Sequence, residues 1–201
     1  MPYTVTRGPS VNVPRGANLL PGGVGASFRV WAPNAKSVEL LIRNDPSQDY
    51  QRLPLSAEAD AEYWSADIAG AAVGDQYRFN MINDATRGGG NPGGSFERVD
   101  PYARHVSSSN TGAPGFVIDP SFPFAPFTPP APQDLVIYQM HVGSFRGRND
   151  TVDPPDHSAN FTQIIEKLPY IKAMNFNAVQ FLPAGEFPSD TGEGYAPTNF
   201  F

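Results

Sequence analysis

A β-sandwich followed by a parallel strand–helix–strand unit is the architecture this sequence predicts, and three observations predict it. Short alternating segments separated by turn residues fill the first half. A proline-rich stretch interrupts the chain after His105. Beyond it, two apolar strand-like runs flank a segment with helical periodicity.

The strands of the first half are read from alternation. "ASFRVWAP" (26–33) places Phe28 and Val30 on one face, and "SVELLI" (37–42), "EYWSADI" (62–68) and "DQYRFNMI" (75–82) follow with turns between them. "PNAK" (33–36) reads as the turn between the first two strands and "GAAVGD" (70–75) as the turn before the last, because Gly and Asn accept turn dihedrals that other residues resist. "RGGGNPGG" (87–94) is glycine-rich but lacks a G-K-[ST] ending and a following helix pattern, so a hairpin tip is expected there rather than a phosphate cradle. In "GAPGFVIDPSFPFAPFTPPAPQD" proline recurs too often for a helix or a central strand, and a linker is expected over 106–133. Its Phe122, Phe124 and Phe127 are expected to pin it as an ordered connector.

"DLVIYQMHV" (134–142) is the nearly continuous apolar run of a strand buried on both faces. From Phe161, apolar residues at Ile164, Ile165, Leu168, Ile171 and Met174 follow three- and four-residue steps, one face of a helix. Ser158 or Asn160 can cap its start, Asn175 can take a left-handed position at its end, and Pro169 is expected to kink it. "NAVQFLP" (177–183) is a second buried strand, which completes a right-handed βαβ unit of the kind that builds parallel barrels and doubly wound sheets.

Composition excludes several function classes. The net charge is −6 with Lys and Arg scattered, so nucleic acid is not an expected partner. No run approaches the roughly 20 apolar residues of a spanning helix, and the N-terminus lacks the apolar core of a secretory signal, so no membrane is expected and the cytoplasm is the expected compartment. Cysteine is absent, which removes disulfides and thiolate metal sites. The 22 prolines and 19 glycines alongside 14 phenylalanines point to many turns around an aromatic core.

"VIYQMHVGSF" (136–145), "FTQIIEKLPYIKAMNFNAVQFLPAGEFP" (161–188) and "GYAPTNFF" (194–201) together resemble the opening of the catalytic barrel in the α-amylase superfamily of glycoside hydrolases and glucanotransferases. The closest resemblance is to α-glucan branching enzymes and malto-oligosyltrehalose trehalohydrolases. "GASFRVWAPNAKSVELLI", "EYWSADIAGAAVGDQYRFNM" and "DPYAR" (100–104) are similar to the immunoglobulin-like, glycogen-binding-type sandwich that precedes that barrel. The resemblance covers about residues 16–201. It implies an N-terminal arm over 1–15, a carbohydrate-binding-like sandwich over 16–105, the linker, and over 134–201 the first βαβ unit of a (β/α)8 TIM barrel that is incomplete here.

The family's retaining mechanism draws an Asp nucleophile from the fourth barrel strand and a Glu acid/base from the fifth. It adds an Asp after the seventh strand and histidines after the third and seventh, so the resemblance implies that the catalytic groups lie beyond Phe201. No catalytic residue, cofactor or metal is therefore expected in this chain. Glu186, Asp190 and Glu193 share one loop, but retention needs two carboxyls about 5 Å apart across a sugar, and an acidic surface loop is the expected reading. The resemblance implies that Tyr195 packs on the sugar ring beside the cleavage point in a complete barrel; the alternative is a core tyrosine at a strand end. His141 is expected to be a hydrogen-bonded core residue, and His105 and His157 loop residues.

A glucan-binding sandwich needs exposed aromatic platforms. With two tryptophans, Trp31 at a strand end and Trp64 in a structural position, no pair of platforms is evident, and packing against the barrel is the expected role. Two functions follow: the N-terminal portion of an enzyme acting on α-1,4/α-1,6-glucans, inert alone, or a stand-alone carbohydrate-binding or structural module. The expected partner is an α-glucan in the complete enzyme. Self-association through the open barrel edge is also expected, because the apolar strands have too little to cover them.

Overall fold

The computed structural model describes residues 2–10, 14–60, 62–84, 86, 93–107, 112–145, 159–185, 194–195 and 197. The chain divides into two compact units, one over residues 1–121 and one over 122–198.

The first unit is two antiparallel sheets. Its strands in chain order are β1 (Thr4–Arg7), β2 (Gly16–Leu19), β3 (Gly25–Trp31), β4 (Ala35–Arg43), β5 (Gln51–Pro54), β6 (Ser56–Ala57), β7 (Tyr63–Ala69), β8 (Gln76–Asn83), β9 (Ser95–Arg98) and β10 (Gly115–Phe116). One sheet runs β1-β7-β3-β2 with β6 also on β7; the other runs β10-β8-β4-β5 with β9 also on β8. The four strands expected from alternation are β3, β4, β7 and β8, the central members of the two sheets. Alternation aims Ala26, Phe28 and Val30 of β3 and Ala66 and Ile68 of β7 inward, where they meet Val38, Leu40 and Ile42 of β4 and Tyr77 and Phe79 of β8. Phe28, Tyr77 and Phe79 stack edge to face at 5.1 and 5.9 Å, so the aromatic core spans both sheets.

The arm at the N-terminus is a strand of the first sheet, with Thr4 opposite Ala69. Polar bonds secure it: the Ser10 hydroxyl donates to Asp67, and its N–H donates to Ser65 Oγ at 3.0 Å. Gly25, at φ 150°, brings its backbone so close to Ile68 that a Cβ would lie 2.1 Å from that carbonyl oxygen, which only glycine permits.

The second unit holds β11 (Ile137–Met140), a single turn α1 (Val142–Phe145), α2 (Phe161–Ala173) and β12 (Ala178–Phe181), with β11 and β12 parallel and Ile137 opposite Ala178. Asn160 is the N-cap of α2: its side chain accepts from the N–H groups of Thr162 and Gln163, and Gln163 returns a bond to the Asn160 N–H. The helix runs through Pro169, and Asn175 takes φ 67° just past its end. Ile164, Ile171 and Met140 form a small core with Tyr138, Phe145, Phe176 and Val179 around it.

Two expectations are corrected here. The strands are not buried on both faces, since Leu135, Val136, Ile137 and Phe181 are exposed, and Ile165 and Leu168 of the helix are exposed with them. One helix covers one face of a two-stranded sheet, and the remaining apolar stripe has no cover among the described residues. Phe122, Phe124 and Phe127 do not pin the proline-rich stretch either: all three are exposed, and Phe122 and Phe124 touch each other, with ring centroids at 4.6 Å.

Candidate functional site

The first unit carries a small cleft where β3 turns into β4. Phe28 and Val30 face the core, so period-two alternation sends Arg29 and Trp31 outward, and Trp31 is 54% exposed. The turn beneath is firmly bonded. Ala35 N–H donates to Ala32 O at 3.1 Å, Ala32 N–H to Glu62 O at 2.8 Å, and Asp84 N–H to Asn34 O at 2.8 Å. Trp64, in contrast, is buried and donates its Nε1–H to Ala32 O at 3.2 Å, so one tryptophan braces the turn that presents the other.

Trp31, Pro33, Asn34, Ala35, Met81 and Asn83 enclose a cleft of about 200 Å³. At roughly 30 Å³ per water, that is space for about six or seven waters, the scale of one sugar ring. Met81 and Asn83 arrive because β8 pairs with β4, setting Asn83 opposite Ala35. Trp31 donates through Nε1 to Glu62 Oε2 at 3.4 Å, a long bond that leaves the indole face free. Tyr63 stands opposite Trp31 on β7, and the Arg29 guanidinium lies 4.0 Å above its ring. Arg29 is fixed in turn by both carboxylate oxygens of Glu58 at 2.8 and 2.7 Å. That guanidinium holds the Glu58 carboxyl below its ordinary pKa, with Ser65 Oγ adding a second donor.

A flat apolar ring beside two amide side chains is suited to a pyranose, whose C–H face stacks on an indole while its hydroxyls meet amide donors and acceptors. The expectation that the tryptophans supply no pair of platforms holds, because Trp64 is interior. Trp31 alone is exposed, and the alternation of "ASFRVWAP" carries that outward direction. Asn83 and Met81 lie some fifty residues further along and join the cleft only through strand pairing.

In the second unit, Tyr195 is 66% exposed. The preceding Gly194 has φ 78°, and a Cβ there would lie 2.1 Å from Pro183 O, so the chain returns against the end of β12 at a point only glycine can occupy. Tyr195 is thus an exposed ring near the C-terminal end of that strand. His141, at the end of β11, accepts the Ser144 N–H on Nδ1 at 3.2 Å, the capping role of a half-buried histidine. His105 stacks on Phe116 at 4.5 Å. Glu186, Asp190, Glu193 and His157 lie outside the described residues. Among the described residues no group of three or more His, Asp or Glu side chains is arranged to hold a metal ion, and no helix is long and apolar enough to cross a membrane.

Residues 14–103 match the family model of carbohydrate-binding module 48, the isoamylase N-terminal domain. The chain is 32% identical over 196 residues to the 1,4-alpha-glucan branching enzyme GlgB of Rhodopseudomonas palustris strain BisA53, covering 92% of this chain and 25% of that protein. It is 29% identical over 193 residues to GlgB of strain HaA2, covering 91% of this chain and 24% of the relative. The chain therefore spans about a quarter of the length of these curated relatives. Among solved structures, the catalytic module of the pneumococcal glycogen-degrading virulence factor SpuA aligns with a TM-score of 0.70 and 21% identity, over 94% of this chain and 31% of that one. The GBS pullulanase SAP in complex with maltotetraose aligns at 0.65 and 24% identity, over 88% of this chain and 24% of that one.

Proposed function

We propose, from the match of residues 14–103 to carbohydrate-binding module 48 and the similarity to 1,4-alpha-glucan branching enzymes, that the chain is the N-terminal portion of an enzyme of α-glucan metabolism, with a sandwich that binds glucan. The observation that carries the glucan-binding reading is Trp31, half exposed beside Asn34 and Asn83 in a cleft the size of one sugar.

Residues 134–201 are, in this proposal, the opening βαβ unit of a (β/α)8 barrel. Parallel β11 and β12, the capped helix between them and the exposed apolar stripe on both support it, because further strands and helices would bury that stripe. Tyr195 has the substrate-contacting role: an exposed ring after the second strand is where a barrel of this kind keeps its active face. No residue of this chain is assigned a catalytic role, no cofactor or metal is invoked, and the retaining chemistry on α-1,4/α-1,6-glucans belongs to the complete enzyme in the cytoplasm. The uncovered edge also gives the chain alone a route to self-association.

Electrophoresis of the chain through gels with and without amylopectin tests the binding, and a reducing-end assay on amylose tests the assignment of no catalysis. The proposal expects retardation by the polysaccharide and no sugar release above a blank. Free migration would remove the glucan-binding role, and turnover would show that catalytic groups lie within these residues.

A further inference from the structure

Trp31 has a charged neighbour that the glucan cleft leaves unused. Tyr63 stands opposite Trp31 on β7, and directly opposed residues in a sheet lie about 5 Å apart. The Tyr63 hydroxyl accepts Nη2 of Arg15 at 2.5 Å. Nη1 of the same guanidinium donates to the Tyr102 hydroxyl, and its Cζ lies 5.3 Å from the Tyr63 ring centroid and 5.0 Å from that of Tyr102. Arg15 directly precedes Gly16, which pairs with Arg29 of β3, and β3 lies between β2 and β7, so the bond to Tyr63 spans β3 on the outer face of the sheet. Arg15 is exposed while both tyrosines are half-buried, so two held phenols position a cation that faces solvent.

This cation has no carboxylate. No ion pair among the described residues includes Arg15. The acidic groups around it are bonded elsewhere: Glu58 to Arg29 and Ser65, Glu62 to the Trp31 indole, Asp60 to the N–H groups of Glu62 and Tyr63, and Asp100 to the Tyr77 hydroxyl and the Tyr102 N–H. Arg104 adds a second cation on the same strand, donating to Ala17 O at 3.1 Å and Asn18 Oδ1 at 3.2 Å. In a chain of net charge −6, this is a place where an anion meets attraction. Of the five N–H donors of a guanidinium, Arg15 spends two on the tyrosines, and the Tyr63 hydroxyl, having accepted from Arg15, keeps its own O–H to give. Held donors, a positive charge and no competing carboxylate fit an oxyanion, and the planar guanidinium fork matches the oxygens of a phosphate.

We propose that Arg15, held between Tyr63 and Tyr102 beside Trp31, binds a phosphate monoester carried by a sugar. The phosphate oxygens take the remaining N–H groups of Arg15 and the Tyr63 O–H, and the sugar extends toward the Trp31 indole. Only that last contact rests on the glucan-binding role given to Trp31; the anion site stands on its own donors. Two ligands share this chemistry, a phosphorylated glucan and a small sugar phosphate.

The test is a titration of the ¹⁵N-labelled full chain with glucose 6-phosphate, glucose, inorganic phosphate, and maltoheptaose with and without one 6-phosphate, following Arg15 Nε–H and the indole Nε1–H groups. Glucose 6-phosphate should move Arg15 Nε–H saturably and more tightly than inorganic phosphate, and glucose should leave it in place. A phosphorylated heptasaccharide that binds about tenfold tighter than the plain one identifies a glucan as the source; saturation by glucose 6-phosphate without that gain identifies the small sugar phosphate. Arg15→Gln should remove the phosphate responses and keep the Trp31 shift with maltoheptaose, with Trp64 Nε1–H in its wild-type position as the check on folding. The absence of a saturable Arg15 shift at millimolar glucose 6-phosphate, or an equal phosphate affinity in Arg15→Gln, would overturn the anion site. Inorganic phosphate binding as tightly as glucose 6-phosphate would overturn the claim that a sugar carries the group. Loss of maltoheptaose binding with the glucose 6-phosphate response intact would remove the glucan cleft and leave this site standing.

Discussion

Replacing Trp31 with Ala separates a ligand platform from a structural tryptophan, and its size can be worked from the exposure. A tryptophan side chain presents up to about 250 Å², so 54% exposure leaves roughly 130 Å² open to a sugar. A pyranose stacked on one face covers between half and all of that, which at about 25 cal/mol/Å² amounts to about 1.5–3 kcal/mol. Trp31→Ala should therefore weaken binding of maltoheptaose about 10- to 150-fold in a calorimetric titration. The melting temperature should hardly move, because the side chain is half solvated and its one hydrogen bond is long. Trp64→Ala is the control with the opposite profile: loss of a buried indole and its bond to Ala32 should cost about 3–5 kcal/mol of stability. Unchanged affinity in Trp31→Ala, or a fall in melting temperature matching that of Trp64→Ala, would refute the reasoning.

Glu58→Gln should lower the denaturation midpoint at pH 7 by the equivalent of about 1–2 kcal/mol, since charge-assisted bonds from Arg29 and Ser65 are weakened. Because Arg29 depresses the Glu58 pKa, its stabilisation is present above the unfolded value and lost as pH falls through the folded one; the variant should lose less stability on acidification below pH 4.5, and identical acid profiles would contradict this. Gly194→Ala places a Cβ 2.1 Å from Pro183 O at a positive φ, so the resonances of Tyr195 and Pro183 should shift while those of the sandwich core stay in place. Unaltered Tyr195 resonances would show that the chain does not return against β12 there.

Legibility in the sequence followed the length and regularity of each element. β3, β4, β7 and β8 are seven to nine residues long, enough for an alternating pattern to show, and α2 announces itself by apolar spacing and by Asn160 as a candidate cap. β1, β2, β5, β6, β9 and β10 have two to four residues each, too few for a period to emerge, and β5 ends on Pro54. Their strand character comes from the neighbours that bond them. The cleft divides in the same way. The outward face of Trp31 follows from the inward faces of Phe28 and Val30, whereas the amide of Asn83 reaches it through a β4–β8 register that carries no local signal. The exposed strands of the second unit were misread because an apolar run specifies a preference for burial and not the partner that provides it.

The most direct measurement is a titration of the ¹⁵N-labelled full chain with maltoheptaose, following side-chain indole and amide resonances. Shifts that saturate at Trp31 Nε1–H and at the side-chain amides of Asn34 and Asn83, with Trp64 Nε1–H unmoved, are the predicted result. Saturation at residues remote from the β3–β4 turn, or no shift at millimolar sugar, would contradict a glucan site on this sandwich.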